Sequence, residues 1–306
     1  MNEIKCIRNL DSRCVIKWRL TDICNYHCSY CIRKPLSDTS AENYDRIETA
    51  KRVAELAEQL TKNTGKKCKV DLIGGEIIVL PDLFDIITEL SQHASVDRIN
   101  ITTNFSRKAE YFEELRQHCV DPVSMSMTAS YHPNYCKLTL QDWINKAVRV
   151  SKVMDYFKCE TVQLKDSTHI DEFIKLCQEN NLHYMVEGDL LDESLNGVKY
   201  SSKKTHPRYD VTFADGTVKG FGTRNSFLKE YGENGMSVKT DGFLCTRDFD
   251  YVYIEKDEVF TCVSKYNIHD FKLAEKPHPC YRGKDGICTL CGNISLLAPC
   301  QSRECF

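Results

Sequence analysis

Residues 14 to 31 read CVIKWRLTDICNYHCSYC, and this stretch governs the interpretation of the whole chain. Its first seven letters are mostly apolar or aromatic, which is typical of a buried strand. Cys24, Cys28 and Cys31 then place three thiols within eight residues. Thiols so close together on one loop can wrap around an iron-sulfur cubane, which normally has four thiolate ligands. Three ligands from the loop would leave one iron open to another molecule.

A zinc site is the alternative interpretation of the same loop, with His27 or a distant cysteine completing a tetrahedron. The chain has 17 cysteines, which is many for 306 residues. We expect a reducing compartment, where a disulfide framework is disfavoured and abundant thiols indicate metal binding. Both interpretations therefore predict a metal site.

Charge and hydropathy exclude some classes of function. The formal net charge is -3 and no basic block is present, so nucleic acid is not an expected partner. The first residues, MNEIKCIRNL, lack the apolar run of a signal peptide, and no stretch approaches the length needed to cross a bilayer. We expect a cytoplasmic protein with no membrane partner.

Strand-like and helix-like patterns alternate about six times after the first strand. Apolar residues recur at helical spacing over residues 43–62, and Thr139 with Asp142 predicts the start of another helix. The remaining predicted strands are residues 67–73, 97–103, 122–128, 159–165 and 182–187. This order predicts an α/β fold with a parallel sheet, whose ligands lie at the carboxyl ends of the strands.

Further short motifs stand at those predicted strand ends: GGE at residues 74–76, TTN at residues 102–104, and a serine in SMTASYHP at position 126. Taken singly, a GGE is more often a turn, a TTN is more often a strand end with a helix cap, and a buried serine more often satisfies the backbone. Taken in order after CxxxCxxC, they resemble the radical S-adenosylmethionine (SAM) superfamily. The resemblance covers roughly residues 14–187.

The resemblance implies a partial (β/α)6 TIM-like barrel that binds a [4Fe-4S] cluster and SAM. Cys24, Cys28 and Cys31 would be the cluster ligands. The implied SAM-binding residues are Tyr30, Gly74, Gly75, Glu76, Thr103, Asn104 and Ser126. Reductive cleavage of SAM would give a 5'-deoxyadenosyl radical that abstracts hydrogen from a substrate, with an electron donor such as flavodoxin or ferredoxin as partner.

A second group of cysteines follows residue 241. Cys245 and Cys262 flank a predicted hairpin, YVYIEKDEVF, and CTLC follows it. This arrangement resembles the SPASM or shorter twitch domain, which binds auxiliary [4Fe-4S] clusters. The implied ligands of one auxiliary cluster are Cys245, Cys262, Cys288 and Cys291, and Cys280 could replace one of them. Cys300 and Cys305 leave a second cluster open, and a structural zinc is the alternative.

Three units are therefore predicted: a barrel over residues 1–187, a linker or insertion over 188–240, and a small cysteine-rich domain over 241–306. The middle unit contains YDVTFADGTVKGF, with a hairpin turn at Asp215 and Gly216. It would serve as a lid or as a plain surface insertion.

The substrate is open between classes. The first interpretation is oxidation or rearrangement of a small polar, sugar-like or carrier-bound substrate, because the chain begins only about a dozen residues before the first strand and leaves no room for a leader-binding domain. The second is a peptide or protein maturase, and a third, of another class, is a non-catalytic zinc-binding interaction protein. No catalytic residue is assigned. The polar candidates at the barrel mouth are Tyr131, His132, Lys165, Glu187 and Asp189.

Overall fold

The computed structural model describes residues 4–10, 12–31, 42–189, 191–192, 194–195, 199–202, 209–221, 227, 230, 243–262, 264–279 and 296–297. Helices in this part of the chain are Arg46–Thr64 (α1), Leu83–Ser91 (α2), Ala109–Gln117 (α3), Leu140–Ser151 (α4) and Ile170–Glu179 (α5). The strands are Ile4–Asn9 (β1), Cys14–Thr21 (β2), Cys68–Gly74 (β3), Val96–Thr103 (β4), Ser124–Tyr131 (β5), Tyr156–Gln163 (β6), His183–Gly188 (β7), Lys199–Ser201 (β8), Tyr209–Phe213 (β9), Val218–Phe221 (β10), Leu244–Cys245 (β11), Tyr251–Glu255 (β12), Glu258–Phe260 (β13), Lys265–Asn267 (β14), His278–Pro279 (β15) and Leu296–Leu297 (β16).

The larger sheet has ten strands in the order β14-β13-β12-β2-β3-β4-β5-β6-β7-β8. Strands β2 to β7 lie in chain order, and each pairs with the next in parallel. In the described residues β7 continues to β8 and not back to β2, so this sheet is not a closed barrel. The structure confirms an α/β fold with a mostly parallel sheet, as a partial TIM-like barrel requires.

Helices cover this sheet because each has one apolar face. In α1, Ala50, Val53 and Ala57 recur at helical spacing and are fully buried. At the start of the helix the Asp45 side chain accepts a hydrogen bond from the Glu48 amide. The helix ends at Gly65, whose backbone is in the left-handed conformation. It starts three residues later than the sequence predicted.

The C-terminal hairpin is built into the same sheet. Strands β12 and β13 are antiparallel, as the sequence predicted, and β12 also pairs in parallel with β2, at the edge of the barrel strands. The predicted domain boundary at residue 241 therefore does not coincide with the end of a sheet. The division into three units stays a prediction.

A second sheet has six strands in the order β10-β9-β1-β16-β11-β15. Its β9–β10 hairpin turns at Asp215 and Gly216 as predicted, and Gly216 has the positive φ of 84° that such a turn favours in glycine. Strand β1 was missed, because the sequence indicated only a short segment ahead of the first barrel strand. The predicted lid stays a prediction.

Candidate functional site

A cavity of about 280 Å³ opens at the carboxyl ends of the parallel strands. This is the edge of a parallel sheet where ligands are expected. The described residues that line it are Cys24, Tyr26, Cys28, Tyr30, Cys31, Ile73, Gly74, Gly75, Glu76, Thr102, Thr103, Asn104, Ser130, His132, Val162, Glu187, Gly188 and Asp189.

The cysteine loop follows β2 and forms one wall. The Cys24 thiol accepts a hydrogen bond from the Tyr26 amide at 3.4 Å, and the Cys31 amide donates to the Cys28 carbonyl at 3.0 Å. Burial raises the pKa of the Cys24 thiol to about 11 and also raises the pKa of Cys28. These thiols are protonated without metal, so cluster binding must release protons.

The three thiols line one cavity without converging on a point. Within the described residues, no three histidine, cysteine or acidic side chains are close enough to hold a single metal ion. Zinc needs all of its ligands within about 2.3 Å of one centre. In a cubane each thiolate binds a different iron, so its thiolates do not need to meet at one centre.

The GGE motif lies against the backbone that leads into the cysteine loop. The Gly75 amide donates to the Thr21 carbonyl and the Glu76 amide to the Ile23 carbonyl, both at 2.7 Å. A Cβ atom on Gly75 would lie only 2.2 Å from the Ile23 oxygen. The glycine therefore permits a backbone-to-backbone contact, in addition to the expected approach of a ligand.

Glu76 is the buried carboxylate of the site, with 1% of its surface exposed. It accepts hydrogen bonds from the amides of Ile78 (3.2 Å) and Asn104. Burial nevertheless raises its pKa from 4.5 to about 7. A cation beside this carboxylate would restore its charge, so Glu76 suits an ammonium ligand.

The end of β4 holds the other side of the cysteine loop. The Asn104 side-chain amide donates to the Asn25 side chain at 2.7 Å, and Asn25 donates to the Ser106 hydroxyl at 2.9 Å. Thr103 accepts from the Phe105 amide at 3.0 Å. Both Thr103 and Asn104 line the cavity, and each also shapes the local backbone.

Aromatic residues after β5 pack on the cysteine loop. The Tyr30 hydroxyl lies 2.8 Å from His132 Nδ1, and the two rings stack with centroids 5.9 Å apart. Burial lowers the pKa of His132 to about 4 and raises the pKa of Tyr30 well above its usual range. The imidazole is therefore neutral, and its Nδ1 atom shares a hydrogen bond with the Tyr30 hydroxyl.

Ser126 was predicted to bind SAM, and it is not among the residues that line this cavity. Its hydroxyl donates to the Asn100 side chain at 3.0 Å and does not reach the lining. Strand β5 extends to Tyr131, so Ser126 lies near its beginning, whereas Ser130 lies at its carboxyl end and lines the cavity. Both serines point to one face because side chains alternate along a strand.

The polar candidates at the barrel mouth divide into two groups. His132, Glu187 and Asp189 line the cavity. Tyr131 instead packs against Trp143 in the core, and Lys165 is exposed away from the lining. Two apolar lining residues, Ile73 and Val162, were missed, although both stand near predicted strand ends at the correct edge of the sheet.

The second cysteine group is only partly described. Cys245 is buried in β11 and Cys262 is half-buried just after β13. Cys280, Cys288, Cys291, Cys300 and Cys305 lie outside the described residues. The auxiliary-cluster ligands therefore stay a prediction.

Where the chain is described, no helix combines the length and apolar character needed to cross a membrane.

Comparison with known proteins shows which family and which enzymes this chain is similar to. The model of the Radical SAM superfamily matches residues 18–158. The GTP 3',8-cyclase of Chlorobaculum tepidum is 24% identical over 177 residues, which are 55% of this chain and 51% of that protein. The enzyme of the same name from Cronobacter sakazakii is 27% identical over 173 residues, covering 53% and 51%. The chain spans about half the length of these curated relatives.

Among solved structures, Streptococcus suis SuiB bound to precursor peptide SuiA is similar with a TM-score of 0.53 and 14% identity, covering 85% of this chain and 63% of that chain. At this identity the likeness shows the fold alone. The matched family region includes the cysteine loop, the GGE motif and most of the strands that form the cavity. Over residues 18–158, a little under half of its length, the chain is therefore similar to the radical SAM superfamily of enzymes.

Proposed function

We propose that this chain binds a [4Fe-4S] cluster through Cys24, Cys28 and Cys31 and binds SAM beside it. The observation that carries the proposal is that the three thiols share one cavity with the GGE motif and Asn104. The cysteine loop, the GGE motif and Asn104 stand at the ends of three different strands, β2, β3 and β4. Motifs that are weak evidence singly support one binding function together when the fold brings them to the same cavity.

When bound, the cluster supplies the electron for reductive cleavage of SAM, whose radical product abstracts hydrogen from a substrate. Glu76 would accept hydrogen bonds from the SAM ammonium group, which would keep the buried carboxylate ionised. Ile73 and Val162 supply apolar walls, and Gly74 lets a ligand approach the backbone. The chain would thus orient SAM and exclude water.

For the substrate, we propose a small polar, sugar-like or carrier-bound molecule that is oxidised or rearranged. Glu187 and Asp189 line the cavity at the end of β7, and their carboxylates can accept hydrogen bonds from hydroxyl or amine groups. The likeness to the GTP 3',8-cyclases covers about half of this chain and about half of those proteins, so it supports shared SAM chemistry and not a shared substrate. A peptide substrate is the alternative outcome of the test.

We further propose an auxiliary [4Fe-4S] cluster held by Cys245, Cys262 and the cysteines that follow them. Its support is the β12–β13 hairpin, which separates Cys245 from Cys262 as the resemblance requires. Such a cluster would accept an electron from the substrate radical. Flavodoxin or ferredoxin would supply the electron for SAM cleavage.

The test is a count of iron after anaerobic reconstitution, in wild type and in the Cys24→Ala/Cys28→Ala/Cys31→Ala variant, followed by an assay for 5'-deoxyadenosine with dithionite and SAM. We expect about eight irons in wild type and about four in the variant. Only wild type should form the nucleoside. Cys136→Ala is the matched control, because this half-buried thiol does not line the cavity.

Zinc in place of iron, with no cleavage of SAM, would overturn the proposal in favour of a zinc-binding interaction protein. About four irons in wild type, lost entirely in the triple variant, would remove the auxiliary cluster and leave the radical cluster. Candidate substrates are then compared by their stimulation of 5'-deoxyadenosine formation. Stimulation by peptides and not by aminosugars or polyols would replace the small-molecule assignment.

A further inference from the structure

The segment between β5 and α4 contacts the cysteine loop at three successive residues. The thiol of Cys28 lies 3.9 Å from His132 Nδ1. The amide of Ser29 donates to the Tyr135 hydroxyl at 3.0 Å, and the hydroxyl of Tyr30 is hydrogen-bonded to His132. One short segment therefore contacts the loop at and between two predicted cluster ligands.

Ring contacts reinforce these polar ones. Tyr26 stacks on Tyr135 with centroids 6.0 Å apart, and its edge meets His132 at the same distance. Tyr30 stacks on His132 and meets Tyr135 edge-on at 6.3 Å. Such aromatic pairs stabilise a contact beyond the area they bury. His132 and Tyr135 thus hold the two loop tyrosines from one side.

The other side of the loop is held by Asn25, which is bonded to Asn104 and Ser106 after β4. The loop therefore has two supports, one from the end of β4 and one from the end of β5. Its cysteines would be arranged by protein contacts before any iron binds. Preorganised ligands bind a metal more tightly because less of the loop has to be ordered on binding.

We propose that His132 is a positioning residue of the cluster-binding loop, acting through Tyr30 and Cys28 to hold the loop in its metal-binding arrangement. The inference rests on the proposed function, because it needs a cluster at Cys24, Cys28 and Cys31. It assigns to Tyr30 a second role besides contact with SAM. It also gives His132 a role close to the metal ligands and separate from the substrate.

The experiment follows loss of iron from the reconstituted protein after addition of a chelator, under anaerobic conditions. His132→Leu removes the polar contacts and keeps the volume, whereas His132→Asn keeps a polar atom near the position of Nδ1. His118→Leu is the matched control, because His118 also stacks on a ring, that of Phe84, and contacts a hydroxyl through Nδ1, but does not line the cavity.

We expect His132→Leu to lose its loop-bound iron about fivefold faster than wild type, the factor that corresponds to one net hydrogen bond. His132→Asn should recover most of the difference, and His118→Leu should behave as wild type. Of these three variants, only His132→Leu should change the electron paramagnetic resonance spectrum and the midpoint potential of the loop-bound cluster. A merely structural role would not produce these two changes.

Tyr30→Phe tests the same contact with a smaller change if His132→Leu does not fold. It should speed iron loss in the same direction, and adding it to His132→Leu should have no further effect, since both remove one hydrogen bond. Equal rates and spectra for wild type and His132→Leu, in a protein that cleaves SAM, would overturn this inference and leave the proposed function intact. A wild type that takes up no iron would overturn both.

Discussion

At Gly75 the backbone of the GGE motif passes against the backbone that leads into the cysteine loop. In Gly75→Ala the new methyl group would lie 2.2 Å from the Ile23 carbonyl oxygen and 2.8 Å from that of Asp22. Backbone atoms cannot yield as a flexible side chain does, so the Glu76–Ile23 hydrogen bond should break. We expect a loss of about 3 kcal/mol in the free energy of unfolding, measured with urea on the metal-free protein.

Gly65→Ala is the control for this substitution, because Gly65 has a positive φ of 72° and open space around its Cβ position. It should lose about 1 kcal/mol through backbone strain alone. A Gly75→Ala variant no less stable than Gly65→Ala would contradict the close approach.

Glu76 should make the stability of the metal-free protein depend on pH. Its pKa is 4.5 in the unfolded reference and about 7 when folded. The folded state therefore binds the proton more tightly, and this contribution is fully present below about pH 4.5 and lost as the pH rises through about 7. Relative to Glu76→Gln, wild type should lose on the order of 3 kcal/mol between about pH 4.5 and pH 8. Parallel pH profiles in urea unfolding would contradict the burial of this carboxyl group.

At the scale of elements, the parallel strand order was predictable because alternating strands and helices leave local patterns. Strand ends were less so. The predicted strand at 122–128 becomes Ser124–Tyr131, because Ser130 and Tyr131 pair with β6. That extension places Ser130, and not Ser126, at the carboxyl end of the strand and in the lining of the cavity. Hydrogen bonds to a neighbouring strand decide where a strand ends, and apolar periodicity does not record them.

Contacts between distant segments were the least predictable part of the site. The cysteines and the GGE motif are recognisable from local spacing. The contact of His132 with Tyr30 joins two loops that follow different strands, and neither loop carries a local signal for the other. The pairing of β1 with β9 also joins segments far apart in the chain, and neither strand carries a local signal for the other.

The helix cap at the start of α4 was predicted from sequence, and its contribution to stability can be measured separately. The Thr139 hydroxyl accepts a hydrogen bond from the Asp142 amide at 3.1 Å and donates to the Asp142 carboxylate at 2.7 Å. Thr139→Ala leaves the amide without this acceptor, so we expect a loss of about 1 kcal/mol in urea unfolding. Thr139→Ser keeps the hydroxyl and should stay close to wild type. Equal losses in both variants would mean that the methyl group, and not the cap, stabilises this end.

For the whole molecule, the C-terminal hairpin completes the edge of the barrel sheet. The Trp18 indole donates to the Lys256 carbonyl and the Lys256 amide donates to the Arg19 carbonyl, each at 2.8 Å. Trp18 and Ile254 are register partners on β2 and β12, and both are fully buried in one hydrophobic core. The first barrel strand thus continues directly into the cysteine loop while its edge is covered by the hairpin.

This shared core predicts that the hairpin and the barrel unfold together. Ile254→Ala should cost about 3 kcal/mol by leaving a cavity beside Trp18, and should shift one cooperative transition seen both by circular dichroism and by proteolysis within the hairpin. Val218→Ala is the control, because this side chain is 60% exposed on β10, and it should change little. Two separate transitions, with only the one reported by the hairpin shifted, would instead show an independent C-terminal domain. The cysteine loop would then be held by the barrel strands without the hairpin. In that case Ile254→Ala should keep the iron bound at Cys24, Cys28 and Cys31.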